Sequence, residues 1–180
     1  MADLLIPNLV KKNLEILFVG INPGTRSAVV GHHFAGRSNR FWKFLFEAGL
    51  TPIKLSGELD HQMLEFGYGI TNLVHRSTAT AAELSREEMK EGAQSLLLFI
   101  LEYQPKVAAF LGKDIYRYYI RNANPKYPMK FHWGVQPGVT VRGVTDFVLP
   151  NPSGLNRIPI EEQLEIYREL KKIISDKNID

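Results

Sequence analysis

The chain reads as one α/β domain over residues 1–180, a three-layer α/β/α sandwich around a mostly parallel sheet, and three observations predict it. Four short apolar runs, at residues 16–20 (ILFVG), 69–74 (GITNLV), 107–111 (VAAFL) and 145–149 (TDFVL), are the pattern of strands buried on both faces. Helical patterns separate these runs, which implies right-handed crossovers between parallel strands. With 180 residues the chain is long enough to bury roughly 70% of its unfolded surface around a single core.

Each element follows in order. The first run ends in Asn22-Pro23-Gly24, a turn signal directly after a buried strand. From a cap at Ser38 or Asn39, Phe41, Trp42, Leu45, Phe46 and Leu50 form a helical stripe, with Gly49 near its end. The second strand precedes Ser85 and Glu88, the S-x-x-E capping box of a helix running through Leu96, Leu97, Phe99 and Ile100 to Pro105. The third strand leads through Gly112-Lys113 into a helix over residues 114–121. Residues 122–143 are turn-rich, with Pro125, Pro128 and Pro137, and are expected to hold one or two short strands around Val139 to Val141. After the last strand, a polar loop at 150–157 leads to an amphipathic helix over 160–176 with Leu164, Tyr167, Leu170 and Ile174 inward and a frayed tail after Ser175.

Composition narrows the chemistry. Hydrophobic residues make up 44% and charged residues 23%, so the chain should fold. It has no run of about 18 apolar residues, and its start carries Asp3 without a basic region, so neither a membrane span nor an export signal is expected. Zero cysteines exclude disulfides, thiolate metal sites and thiol nucleophiles. The formal charge of +3 permits a polyanionic partner, and the distribution favours one: residues 32–40 hold two His and two Arg with no acid, while acids gather at 83–91 and 161–169.

In parallel sheets ligands sit beyond the carboxyl ends of the strands, where three loops qualify: 22–27, 72–78 and 151–157. In the first, GINPGTRS, Asn22 is presented stiffly between Ile21 and Pro23. An amide is no general base at neutral pH, but its carbonyl can accept a hydrogen bond from water and orient it; equally, Asn before Pro-Gly is an ordinary turn cap. Adjacent His32 and His33 point to opposite sides of an extended segment and find no third ligand, so no metal is expected. The GxxxxGK[ST] and GxSxG motifs are absent, and Gly112-Lys113 alone is a weak phosphate signal.

Taken together, GINPG, HHFAGRSNRFW, GITNLV with HRST, LGK and LPNPSGLNR, in that order over residues 16–170, resemble the mismatch-specific uracil/thymine DNA glycosylases of the uracil-DNA glycosylase superfamily. The resemblance implies the α/β/α fold and hydrolysis of the N-glycosidic bond of uracil, or of thymine or etheno-cytosine, opposite guanine in duplex DNA, with no cofactor or metal. The nucleotide must first be flipped from the helix. By the same resemblance Asn22 positions the attacking water and Thr78 helps to hold it. Other glycosylase families carry Asp at that step, so a slow enzyme is expected.

The base-binding residues it implies are Ile21 through its backbone, Ser27, His33, Phe34 as the stacking ring, and Asn72. Asn72 stands where bacterial members often have Lys and thymine-directed animal members have Asn, a lean that His33 shares. Ser27 stands where uracil-directed members carry Ser and would crowd a thymine methyl, so the two hints disagree, and uracil is the expected preference. Leu155 and Arg157 match the wedge that enters the base stack, Gly154 and Asn156 the backbone contacts to the orphaned guanine, and Lys113 and Ser153 phosphate contacts. The partner implied is double-stranded DNA with a G·U or G·T mispair, with no membrane and no protein partner identified. The protein is expected to be a monomer, in the cytoplasm of a prokaryote or the nucleus of a eukaryote. Two rival readings remain at this point: a catalytically weak mismatch or damage-binding protein of the same fold, and a nucleotide-binding enzyme using Gly112-Lys113.

Overall fold

The computed structural model describes residues 5–127, 130–138 and 140–176. Its sheet has five strands in the order β2-β1-β3-β5-β4: β1 (Ile16–Gly20), β2 (Tyr68–Asn72), β3 (Val107–Leu111), β4 (Gly134–Val135) and β5 (Thr145–Leu149). The first four in that order run parallel, and β4 pairs antiparallel with β5 at the edge. Every residue of β1, β2 and β3 is buried, which is why β1 and β3 read as unbroken apolar runs, while β2 ends in the buried polar residues Thr71 and Asn72.

Five helices flank the sheet: α1 (Thr25–Val30), α2 (Phe41–Glu47), α3 (Arg86–Tyr103), α4 (Lys113–Ala123) and α5 (Ile160–Asp176). Two packed rings show how they divide. Phe18 of β1 meets Phe41 of α2 edge-on at 5.2 Å, and Phe110 of β3 packs on Tyr116 and Tyr119 of α4 at 5.0 and 4.7 Å. The register pairs Phe18 with Ala109, so Phe18 and Phe110 point to opposite faces of the pleat. On one face α2 packs on α5, Phe44 against Tyr167 at 5.0 Å; on the other α3 packs on α4. The three-layer sandwich expected from the sequence is therefore the fold. Among the described residues, no helix is long and apolar enough to cross a membrane.

Local chemistry explains the boundaries. Ser85 accepts from the Glu88 N–H at 3.1 Å while the Glu88 carboxylate accepts from the Ser85 N–H at 2.8 Å, so the capping box opens α3. Along α5, Leu164, Tyr167, Leu170 and Ile174 are all buried. Three expectations need correction or fall away. Phe46 is 43% exposed, because Phe41, Trp42, Phe44 and Leu45 already fill the inward arc of the seven-residue α2. The short edge strand lies at Gly134–Val135 and not around Val141, since it forms only where the chain pairs with Phe147 and Val148 of β5; Val139 itself lies outside the described residues, as do residues 177–180 of the tail. Neither α1 nor the kinked 3₁₀ segment Gly57–Leu64 was expected.

One buried acid tests the packing on the α4 side. Asp146 of β5 is 1% exposed, and it accepts hydrogen bonds from the hydroxyls of Tyr116 at 3.2 Å and Thr140 at 3.1 Å. Burial pushes its carboxyl up to about 7, with the two hydroxyls opposing the shift. An unfolded chain releases this proton near pH 3.8, so between roughly pH 4 and 7 the native state binds more protons than the unfolded one and stability falls as pH rises. Asp146→Asn should remove that slope. Denaturant titrations are expected to show the variant gaining at least about 1 kcal/mol on the parent between pH 5 and pH 8; a constant difference across that range refutes the buried charge.

Candidate active site

The pairing of β1 and β2 does not stop at the strand ends. Past Gly20 the two chains stay zipped: Leu73 N–H to Gly20 C=O at 2.8 Å, Val74 N–H to Ile21 C=O at 2.9 Å, and Thr78 N–H to Pro23 C=O and Thr25 N–H to Thr78 C=O, both at 3.1 Å. The loop that carries Asn22 is thus held by backbone bonds. The Asn22 Nδ2 group donates to Thr78 Oγ1 at 2.7 Å and to the Arg76 carbonyl at 2.9 Å, with the Pro23 carbonyl at 3.3 Å. Carbonyls only accept, so the amide nitrogen must lie on this side, and Oδ1 is left with both lone pairs free of any described residue.

A cavity of about 170 Å³ opens beside Asn22 at the carboxyl ends of β1, β2 and β3. Ile21, Asn22, Ser27, His33, Phe34 and Asn72 all line it, and Asn151 and Pro152 of the 150–158 loop form one wall. Its described lining holds no Asp or Glu. Thr78 is not on the wall; its hydroxyl oxygen takes an Asn22 amide hydrogen, which makes it a support for Asn22.

Phe34 has a left-handed backbone, φ 51°, a conformation that costs a bulky residue roughly 1–2 kcal/mol. Its neighbours hold it there. His33 N–H donates to Asp60 Oδ2 at 2.9 Å, Ala35 N–H to Ser27 Oγ at 3.0 Å, and Arg26 Nε to the Ala35 carbonyl at 2.9 Å. The Phe34 ring lies 4.0 Å from that of Phe41 and is inclined to it by 31°, leaving it part of the cavity wall. The Ser27 hydroxyl thus braces the turn bearing the ring, a contact that the sequence does not show.

His33 is buried and its Nε2 faces the Pro7 carbonyl at 3.0 Å, so the proton is on Nε2 in the neutral ring. Burial lowers its pKa below the usual imidazole value and keeps it neutral. Asn72 is buried, and no described residue hydrogen-bonds its carboxamide. Gly20 makes room for it: a Cβ there would lie 2.5 Å from Asn72 Oδ1 and 3.7 Å from Phe34 Cε1. Gly20 is a site residue that sequence reading missed, because its contribution is empty space. The one available signal was a glycine at the last position of a buried strand.

The remaining candidates are not part of the cavity lining. Leu155 is 88% exposed at the tip of the 150–158 loop, with Arg157 also exposed. Ser153 Oγ accepts from the Leu155 N–H at 3.2 Å, and Asn156 N–H donates to the Ser153 carbonyl at 3.0 Å. Lys113 stands apart, its Nζ 4.2 Å over the Trp133 ring in an adjoining hollow that shares Ile21, Leu111 and Asn151 with the cavity. His32 Nδ1 lies 3.7 Å from Asp60 Oδ1, and among the described residues no three His, Asp or Glu side chains cluster as a metal site would require.

A mostly parallel sheet covered by helices on both faces, with a cavity lined by several asparagines beyond the carboxyl ends of its central strands, places the chain among the α/β proteins. A sequence model described as the Uracil DNA glycosylase superfamily matches residues 7–172, and the chain belongs to that superfamily. Its fold is similar to the solution NMR structure of a putative uracil DNA glycosylase from Methanosarcina acetivorans, with a TM-score of 0.60 and 19% identity over 94% of this chain and 98% of that one. At the level of the superfamily the chain is a DNA glycosylase, a hydrolase of N-glycosyl bonds acting on DNA.

The space left by Gly20 yields a stability test. Gly20→Ala should lower unfolding stability by about 1–3 kcal/mol through overpacking against the Asn72 carboxamide. The double variant with Asn72→Ala should recover more than half of that loss in denaturant titration, and strict additivity of the two changes would refute the contact.

Proposed function

We propose that the protein is a monofunctional glycosylase that hydrolyses the N-glycosidic bond of uracil mispaired with guanine in double-stranded DNA, initiating base excision repair. The observation that carries the reading is Asn22: it lines the cavity, its Nδ2 hydrogens are committed to Thr78 and the Arg76 carbonyl, and its carbonyl oxygen is bonded to no described residue.

The sugar carbon C1′ is buried in the duplex, so the mispaired nucleotide is extruded and its base enters the cavity. There the ring lies against Phe34, a contact worth about 1–3 kcal/mol, while Asn72 offers both a donor and an acceptor to the pyrimidine edge. Asn22 Oδ1 accepts a hydrogen from a water molecule and turns its lone pair toward C1′. The new C–O bond forms at C1′ as the C1′–N1 bond breaks and its electron pair leaves with the base. The amide takes no proton; the water's proton passes to solvent or the departing base. With no carboxylate on the wall to stabilise positive charge on the sugar, the rate rests on orientation and on the leaving group, so turnover is slow.

Leu155 fills the gap in the stack, and the backbone at Gly154 and Asn156 meets the orphaned guanine. Arg157 enters beside Leu155 as part of the wedge, while Lys113 and Ser153 hold the phosphates and set register without reading sequence. A mispair costs less to open than a Watson–Crick pair, which adds to the preference.

A labelled duplex with one G·U pair, incubated with the protein and treated with alkali, should break at the uracil. Binding without breakage would instead favour a damage-binding protein. Asn22→Ala is expected to lower the single-turnover rate at least about a hundredfold while affinity for the duplex stays within about threefold; an unchanged rate overturns the role given to Asn22.

Ser27→Ala removes bulk near the C5 edge and also the brace on Phe34. The G·T to G·U rate ratio should therefore rise about tenfold while the G·U rate itself falls. A ratio that stays flat or drops rejects methyl crowding.

A further inference from the structure

The 150–158 loop is pinned from two sides. On one side α5 holds its ends: Tyr167 OH donates to the Pro150 carbonyl at 3.2 Å and Gln163 Nε2 to the Ile158 carbonyl at 2.6 Å. On the other side stands Arg40, six residues after Phe34, at the start of α2. Its backbone N–H donates to the Pro152 carbonyl at 2.8 Å. Its guanidinium reaches the Gly154 carbonyl through Nη2 at 3.2 Å and the Asn156 carbonyl through Nη1 at 3.4 Å. These two carbonyls flank Leu155, the exposed tip. Contact is close enough that a Cβ on Gly154 would lie 2.5 Å from Ser38 Cβ and 2.7 Å from the Ser38 carbonyl oxygen. Arg40 forms no ion pair with a carboxylate among the described residues, so the carbonyls are the partners of its fork.

We propose that Arg40 is a positioning residue that sets the preference for guanine opposite the excised base, by fixing the Gly154 and Asn156 carbonyls on either side of the wedge. This rests on the glycosylase reading above and deepens it. The pairing edge of guanine presents two adjacent donors, the ring N–H and the amino group, whereas that of adenine presents one donor and one acceptor. Two acceptors held at a fixed separation therefore suit guanine and leave one unpaired against adenine. A carbonyl has two lone pairs, so each can keep its bond to Arg40 and still accept from the orphaned base. A planar fork can hold two carbonyls at once; an ammonium, a single point of charge, cannot fix their separation. The same side chain ties the wedge to the segment that carries Phe34, so base capture and wedge insertion share one frame.

The test is the ratio of single-turnover excision rates on G·U and A·U duplexes, measured on one preparation so that any unfolded fraction cancels. A parallel ratio of affinities for duplexes with an uncleavable abasic analogue opposite G or A reads the same selection without chemistry. Arg40→Ala is expected to lower both ratios about tenfold. Arg40→Lys should restore overall DNA affinity and not the ratios. Gly154→Ala, which drives the loop off Ser38 without touching Arg40, should lower the ratios as Arg40→Ala does and serves if that variant folds poorly. Equal losses on both duplexes would make Arg40 a general support of the fold, and recovery of the ratios by Lys would make it a phosphate contact; either overturns the inference. Equal rates on G·U and A·U in the unaltered protein would refute the guanine preference itself, and this inference with it, whereas a preference that survives Arg40→Ala refutes the inference alone.

Discussion

Under the proposed function Asn22 takes no proton, so its contribution is to orient water and to present a fixed dipole, and both are worth only as much as the rigidity behind them. That constraint organises the molecule around Asn22. The backbone ladder between β1 and β2 runs on past both strands, so Asn22 sits in what is in effect a continuation of the sheet. Behind it the Arg76 carbonyl accepts one amide hydrogen, and Arg76 is itself pinned by a two-pronged bond to Glu88 at 2.6 and 3.1 Å. Glu88 also caps α3, so one carboxylate anchors a helix start and the loop behind the site. The Arg76 guanidinium, with the capping bonds from Ser85, holds that carboxyl down at about 2. The brace stays charged through any physiological pH.

The parts of the fold that were legible are those whose stability comes from their own sequence. Strands buried on both faces must be mostly apolar, with polar residues such as Asn72 and Asp146 as exceptions, and the long α5 must show its period. The capping box of α3 is a local reciprocal bond. What stayed hidden has no such signature. The six-residue α1 has Gly24 at its N-cap, with no side-chain cap bond and no acid in its first turn. The segment Gly57–Leu64 matters because Asp60 reaches back across 27 residues to hold the backbone of His33, a contact that no local pattern announces. The two-residue β4 exists only by pairing with β5.

The site divides in the same way. Asn22, Phe34 and Asn72, which line the cavity, could be singled out because a polar or aromatic side chain at or after a strand end is conspicuous, and because the resemblance pointed to them. Gly20 and Arg40 were not. One acts through the volume it leaves empty, and the other through the carbonyls of a loop 114 and 116 positions away. The geometry adds contacts that the resemblance does not supply: the Thr78 hydroxyl oxygen accepts from Asn22, and the Ser27 hydroxyl supports the turn at Phe34.

Preorganisation on this scale shifts the energetic demand onto the DNA. The cavity is open, its aromatic wall is already held in its left-handed turn, and the wedge loop is braced by α5 and Arg40, so little of the protein needs to be reordered on binding. Under the proposed function, extruding a nucleotide costs a few kcal/mol. Leu155 spends the free state with its side chain in water, contributing almost nothing to the stability of the fold. Burying it in the vacated stack returns about 1.5–3 kcal/mol, and contact between the base and Phe34 about 1–3 kcal/mol more. Those two terms are of the same size as the cost of extrusion, which is least for a mispaired base. Under the proposed function, part of the preference for mispairs therefore lies in the cost of opening the DNA, before any group in the cavity has met the base.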